Sequence, residues 1–232
     1  MNNSIQKLSI IIPAFNEENT IEKVFKYVWE INFGNFSKEI IVVNDCSCDK
    51  TKDILKNLKK DYDFLIINHQ RNSGKGAALR NAITKASGDI IIIQDADLEY
   101  DPKDYVPILK EFDDPKTKVV YGSRNINPKR RGYFHYVLGA KLLTDSINFL
   151  YRAKLTDSYT CYKAFRSEII KSIPLFSNGF EIEAEITTKT LKRGIPIKEI
   201  PISYNPRKFS EGKKIKFSDA IKGFATIIKN RF

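Results

Sequence analysis

Cysteine, histidine, methionine and tryptophan are scarce in this 232-residue chain, at three, two, one and one. Cys46 and Cys48 are too close for an unstrained disulfide, and the set lacks zinc-ligand spacing, so the thiols read as reduced. Long apolar runs are missing too: an uncharged stretch such as 8–15 falls far short of the roughly 20 residues a spanning helix needs. No basic-then-apolar leader opens the chain, so an unprocessed cytoplasmic protein is expected. Repeats and low-complexity segments are absent. Acidic residues are outnumbered, 28 against 39 basic ones, and the formal charge of +11 points to an anionic partner: nucleic acid, a lipid surface or a phosphorylated substrate. With 29% charged and 42% apolar residues the chain is globular rather than disordered. Its length suits one domain, alone or with a C-terminal extension.

What is present is organised around Ile90-Ile91-Ile92-Ile93-Gln94-Asp95-Ala96-Asp97-Leu98-Glu99. Four isoleucines opened by Gly88-Asp89 predict a strand buried on both faces, as at the centre of a parallel sheet. Asp95, Asp97 and Glu99 follow at every second position. They read either as a solvated acidic turn or as ligands for a hard divalent cation whose other sites go to water and phosphate oxygens. Other strands are predicted at 8–13, a short buried one, and at 39–43 and 64–67. Asn19-Thr20 can cap a helix carrying Ile21, Val24, Phe25, Val28 and Ile31 at helical spacing, and a helix over 77–86 leads into the acidic strand. Strands alternating with helices predict an α/β fold of βαβ units, a mostly parallel sheet flanked by helices. Ligands of such sheets sit beyond the strands' C-terminal ends, where the polar loops here converge.

Those loops carry nucleotide chemistry. Asn72-Ser73-Gly74-Lys75-Gly76 sets glycines and a lysine ahead of a helix N-terminus, either as a phosphate cradle or as a structural turn; it lacks the spacing of a Walker motif. Asp45 and Asp49 suit a base or ribose, with helix capping the alternative for Asp49. Base, phosphate and metal functions thus fall on one sheet edge.

In order, the motifs Ser9-Ile10-Ile11-Ile12-Pro13-Ala14-Phe15-Asn16-Glu17-Glu18, Val42-Val43-Asn44-Asp45-Cys46-Ser47, Gly74-Lys75-Gly76-Ala77-Ala78, Asp95-Ala96-Asp97-Leu98, Gly122-Ser123-Arg124, Thr156-Asp157 to Phe165, and Pro201-Ile202-Ser203-Tyr204 cover most of the chain. This set resembles glycosyltransferase family 2, within it the dolichyl-phosphate or polyprenyl-phosphate sugar synthases. The resemblance implies a GT-A (Rossmann-like) fold, a sugar-nucleotide donor, Mg²⁺ or Mn²⁺, and inversion at the anomeric carbon. A GT-A domain is expected over 1–206, nucleotide-binding to 125 and acceptor-binding from 126, with a basic loop and amphipathic helix over 207–232. Cys46-Ser47-Cys48 departs from the Gly-Ser-Thr of many members, while Asp45 is retained.

Carried over by resemblance, Pro13, Ala14, Asn16 and Glu17 line the base and ribose pocket and Asp45 reads the base edge. Lys75 approaches the diphosphate or holds the adjacent loop. Asp95 and Asp97 hold metal and donor, with Glu99 at a third-ligand position. Arg124 faces the acceptor phosphate, followed by Arg131 and by His135, for which packing in an aromatic run is the alternative. Asp157 orients an acceptor cation, or acts as base toward a hydroxyl; Glu181 and Glu183 support that site or complement a helix N-terminus. The stretch 207–214, with Arg207, Lys213 and Lys214, resembles a loop that closes over donor and acceptor.

Two segments raise membrane contact. Apolar residues are dense from 133 to 151, and Phe217, Ile221, Phe224 and Ile228 share a helical stripe among Lys216, Lys222, Lys229 and Arg231. Each reads as an interfacial helix or as ordinary packing surface. The expectation is a metal-dependent inverting glycosyltransferase, peripheral at the cytoplasmic face. It moves mannose or glucose from GDP-mannose or UDP-glucose to a dolichyl or undecaprenyl (polyprenyl) phosphate. Transfer to a soluble or polymeric hydroxyl is the runner-up. A nucleic-acid-binding protein is disfavoured, since the chain has neither a recognised module nor a base-stacking array; a silent sugar-nucleotide sensor is disfavoured by the acidic triplet.

Overall fold

The computed structural model describes residues 7–34, 36–126, 134–207 and 217–232, with side chains at all of these except 134–136 and 217. Strand β1 (Lys7–Ala14) leads into α1 (Ile21–Glu30), β2 (Ser37–Asn44), α2 (Thr51–Asp61), β3 (Leu65–Asn68), α3 (Lys75–Lys85) and β4 (Ile90–Ile93). The chain continues through α4 (Tyr105–Lys110), β5 (Val119–Ser123), α5 (Phe134–Tyr151), β6 (Lys163–Arg166), α6 (Ser167–Ser172), α7 (Ile182–Lys192), β7 (Ile197–Pro201) and α8 (Phe217–Arg231).

One sheet of order β3-β2-β1-β4-β6-β5-β7 holds the molecule together. Strands β1 to β4 pair in parallel; β6 runs antiparallel to β4 and β5, and β7 pairs parallel with β5. Ile10 lies between Ile40 and Ile92 in register, and all four isoleucines of β4 are at most 1% exposed, so this strand is covered on both faces. Because β2 and β4 flank β1 on opposite sides, the strand order reverses there and opens a crevice at the C-terminal ends of β1 and β4. Ala14 and the acidic segment after Ile93 border it.

The expected strands and helices are present, with ends shifted by one or two residues. Helix α3 begins at Lys75 rather than 77, because Gly74, at φ +90°, turns the chain directly into it. Thr20 does not cap α1 through its side chain; its hydroxyl donates to the Glu17 carboxylate instead (2.8 Å). Strand β6 escapes an apolar reading because it opens with Lys163, which is fully buried and ion-paired with Glu183 of α7. Among the described residues no helix is long and apolar enough to cross a membrane.

Helices α5, α7 and α8 form a second apolar cluster around Leu143, Ile147, Ala184 and Ile227. On α8 the packed positions are Ala220, Gly223 and Ile227; of the expected stripe Ile221 and Phe224 are exposed and Ile228 is half-buried. Leu138, Leu142 and Phe149 of α5 are exposed as well.

At the sheet's other end Glu39 ties three segments. Its carboxylate accepts from the Ser9 hydroxyl (2.5 Å), from the Ser87 amide and hydroxyl (2.8 and 2.7 Å), and pairs with Lys7 (3.3 Å). Partial burial works against the charge, but these donors outweigh it and hold the carboxyl below its ordinary range. Glu39→Gln should therefore cost about 1–2 kcal/mol at neutral pH by denaturant unfolding. A lowered folded value means the contribution is complete above the unfolded pKa of about 4.3 and fades as pH falls through the folded one. The wild-type advantage should shrink below about pH 4; a pH-independent difference would contradict this account.

Candidate active site

The crevice is built on carboxylates. Asp95 and Asp97 leave the end of β4, where Leu98 takes a left-handed φ of +61°. Asp95 pairs with Lys75 at the start of α3 (2.7 Å); Lys75 also meets Glu183 (2.9 Å), which is paired in turn with buried Lys163. Burial opposes the charge on Lys75, but Asp95 and Glu183 overcome it and hold its pKa well above the ordinary value. Asp97 accepts from Arg207 (2.9 Å), which also reaches Glu17 (3.2 Å). Burial first, then Asp95 and Glu99, push Asp97 up to about 7 against the pull of Arg207.

Asp95, Asp97, Glu99, Glu17 and Glu183 gather here with Lys75, Lys163 and Arg207, a formal excess of two negative charges among the described residues. Hard carboxylate oxygens with a surplus of this size fit a divalent cation such as Mg²⁺ or Mn²⁺. Glu99, expected as a third ligand, accepts from Tyr204 Oη (2.9 Å) and the Arg207 amide (3.0 Å). Among the described residues no three His, Cys, Asp or Glu side chains form a metal-holding group. The fitting pair is Asp95 and Asp97.

Beside the carboxylates, the loops after β1 and β2 brace one another. Pro13 and Ala14 end β1, and the Ala14 carbonyl accepts the Asp45 amide (2.8 Å). Asn16, at φ +50°, accepts the Cys48 amide (2.8 Å) and donates its own to Ser47 (3.0 Å); the Glu17 amide donates to Thr51 (2.8 Å). Asp49 takes its structural reading, accepting the amides of Thr51 and Glu18 (3.0 Å each). Asp45 is buried and accepts from His69 Nδ1 (2.6 Å) and the amides of Ser73 (2.8 Å) and Gly74 (2.7 Å).

The glycine–lysine loop also takes its structural reading. The amides of Gly76 and Ala77 donate to the Asn178 carbonyl (2.7 and 3.2 Å) rather than facing the crevice. A Cβ on Gly74 or Gly76 would lie 2.4 Å from Asn178 O or 2.2 Å from Ser177 O, so these glycines admit the backbone of the loop before α7. Lys75 holds that junction.

Arg124 leaves β5 and forms a fork with buried Asp157, Nε to Oδ2 at 2.7 Å and Nη2 to Oδ1 at 2.8 Å. Burial works against this guanidinium, but Asp157 holds its pKa well above the ordinary range. The amides of Thr156 and Asp157 donate to Glu199 (2.7 and 2.9 Å), and the Tyr204 ring lies 5.2 Å from the guanidinium carbon. Asp157 thus orients a cation. Arg131, Lys213 and Lys214 lie outside the described residues, as does most of 207–214, and His135 is described only as a position on α5. Glu181 accepts the Gly179 amide (2.9 Å) ahead of α7.

Several supports were not foreseen. Gln94 is fully buried and accepts from Tyr105 Oη (2.5 Å) and Tyr162 Oη (2.8 Å), fixing the start of the acidic segment. Lys163, Glu199 and His69 are likewise supports. Their side-chain partners lie 11 to 68 residues away, so neighbouring sequence gives no sign of them, except that a polar glutamine closing a run of isoleucines needs buried partners.

Residues 9–173 match the model of glycosyl transferase family 2. The dolichol-phosphate mannosyltransferase of Pyrococcus furiosus is 28% identical over 89% of this chain, which spans 59% of that protein's length. The dolichyl-phosphate beta-glucosyltransferase ALG5A of Trichomonas vaginalis is 28% identical over 96% of this chain and 72% of its own. Among solved structures, glucosyl-3-phosphoglycerate synthase from Mycobacterium tuberculosis, in complex with Mn²⁺, UDP and glucosyl-3-phosphoglycerate, superposes with a TM-score of 0.74 at 20% identity, covering 97% of this chain and 80% of that one.

The packing of the glycine loop sets a test. Gly76→Ala forces its new carbon against the Ser177 carbonyl and should destabilise the protein by about 1–3 kcal/mol in denaturant melts. Unchanged stability would contradict the close approach.

Proposed function

The chain belongs to glycosyltransferase family 2, and from that premise we propose that it transfers a hexose, mannose or glucose, from GDP- or UDP-sugar to a polyprenyl phosphate, inverting the anomeric carbon. The observation that carries this reading is the linking, through Tyr204, of an anionic, cation-deficient cluster at Asp95, Asp97 and Glu99 to an oriented cation, Arg124.

In this reading Asp95 and Asp97 hold Mg²⁺ or Mn²⁺, which supplies positive charge to the departing nucleoside diphosphate. Lys75 fixes Asp95 and Arg207 lies against Asp97. The loops carrying Pro13, Ala14, Asn16, Glu17 and Asp45 receive base and ribose. Arg124, aimed by Asp157, binds the acceptor phosphate. A phosphate monoester is already an anion, so it needs cationic placement rather than a strong general base. Asp157, forked to Arg124, serves as a positioning residue and not as that base.

The lipid acceptor is favoured by two curated relatives named for dolichol-phosphate or dolichyl-phosphate. It is also favoured by exposed Leu138, Leu142, Phe149, Ile221 and Phe224 beside Lys222 and Lys229, an apolar and basic face suited to peripheral contact with anionic lipid.

The test crosses labelled GDP-mannose and UDP-glucose against added polyprenyl phosphate with Mg²⁺ or Mn²⁺, scoring label in the organic phase. Label there with one donor is expected; turnover only with sugar or glycan acceptors would overturn the acceptor. Asp97→Ala should lower transfer at least about a hundredfold while the melting curve stays cooperative. Near wild-type turnover would sink the ligand assignment. Arg124→Lys keeps a charge beside Asp157 but loses the fork, so acceptor KM should rise about tenfold with donor Kd unchanged; an unchanged KM would remove Arg124 from the acceptor site.

A further inference from the structure

Asp45 and His69 form a unit whose hydrogen bonds can be counted. A carboxylate only accepts, so the proton shared at 2.6 Å belongs to His69 Nδ1. His69 Nε2 then accepts from Asn81 Nδ2 of α3 (2.8 Å), which leaves both ring nitrogens engaged and the imidazole fixed. On Asp45, Oδ1 receives the imidazole and the Ser73 amide, and Oδ2 receives the Gly74 amide. A carboxylate has about four lone-pair sites, two on each oxygen. Among the described residues one site therefore has no donor, on Oδ2.

We propose that this unit makes the donor site select a nucleobase with a single imide N–H, uracil, over guanine, and that His69 is the specificity-determining residue. The inference rests on the reading that Asp45 faces the donor base. Guanine offers two adjacent donors, N1–H and N2–H, and a carboxylate satisfies both by using one lone pair on each oxygen. Here Oδ1 is full, so one guanine donor would be buried without a partner. Uracil offers N3–H alone, which matches the one open site. The penalty for a buried unpaired donor, and the stronger rejection shown by sites built for a given hydrogen-bond pattern, set the size of the effect.

The experiment is calorimetric titration of the full chain with UDP and with GDP in the presence of Mn²⁺. UDP should bind at least about tenfold more tightly. GDP binding as tightly as UDP, or more so, would overturn this inference and leave the glycosyltransferase reading intact; binding of neither would overturn that reading and this inference with it. His69→Leu frees a lone pair on Oδ1, so the preference should collapse toward one, chiefly through a gain for GDP. A merely structural histidine would instead weaken both ligands alike and keep their ratio, which counts against the proposal. His69→Asn places an amide N–H where Nδ1 donates and should restore the wild-type ratio; failure to do so while the variant remains folded would also count against it.

Discussion

The crevice depends on a surplus of negative charge held where a sheet changes direction. Strand β4 contributes only buried isoleucines, and beyond its C-terminal end Asp95 and Asp97 meet Glu17 from the loop after β1 and Glu183 from α7. Carboxylates at this density repel, and burial denies them water. Lys75, Lys163 and Arg207 relieve most of this but not all, and Asp97 carries the remainder as a pKa near 7. The surrounding fold is arranged to keep the cluster in place: Gln94 is clamped by two tyrosines, and the glycines around Lys75 let the loop before α7 come close.

Buried ion pairs of this kind add little net stability, since desolvation offsets their attraction. What they provide is position. Lys75 and Lys163 converge on Glu183, so α3, β6 and α7 meet at one carboxylate, and a loss on any side would leave a charge buried and unpaired. Asp45 does similar work for the loops at the ends of β2 and β3 by accepting two amides and an imidazole.

Much of this was legible in the sequence where residues signal through their neighbours. The isoleucines of β4, the alternation of strands with helices and the acidic triplet are local patterns, and each is where it was expected. The family resemblance added an order of motifs that no single piece carries. What stayed hidden depends on distant partners. Nothing beside Lys163 says that it is buried, because Glu183 is 20 residues on; nothing beside Glu99 says that its carboxylate turns to Tyr204, 105 residues away. The stripe on α8 was legible as a pattern but not in direction, because the packed face is set by Gly223, where Tyr159 Oη would lie 2.1 Å from an added Cβ. Helical periodicity finds a face and does not say which neighbour takes it.

The two halves of the crevice are joined by the short segment after β7. Tyr204 donates to Glu99 while its ring lies beside the Arg124 guanidinium, and three residues later Arg207 donates its amide to Glu99 and its side chain to Asp97. The carboxylate cluster and the oriented arginine are therefore two contacts apart through a single tyrosine. Glu99 anchors this segment, since both its oxygens serve residues 204 and 207. That placement explains an otherwise costly buried carboxylate: it converts the last part of the acidic turn into the support that fixes Arg207 over Asp97 and Tyr204 against Arg124.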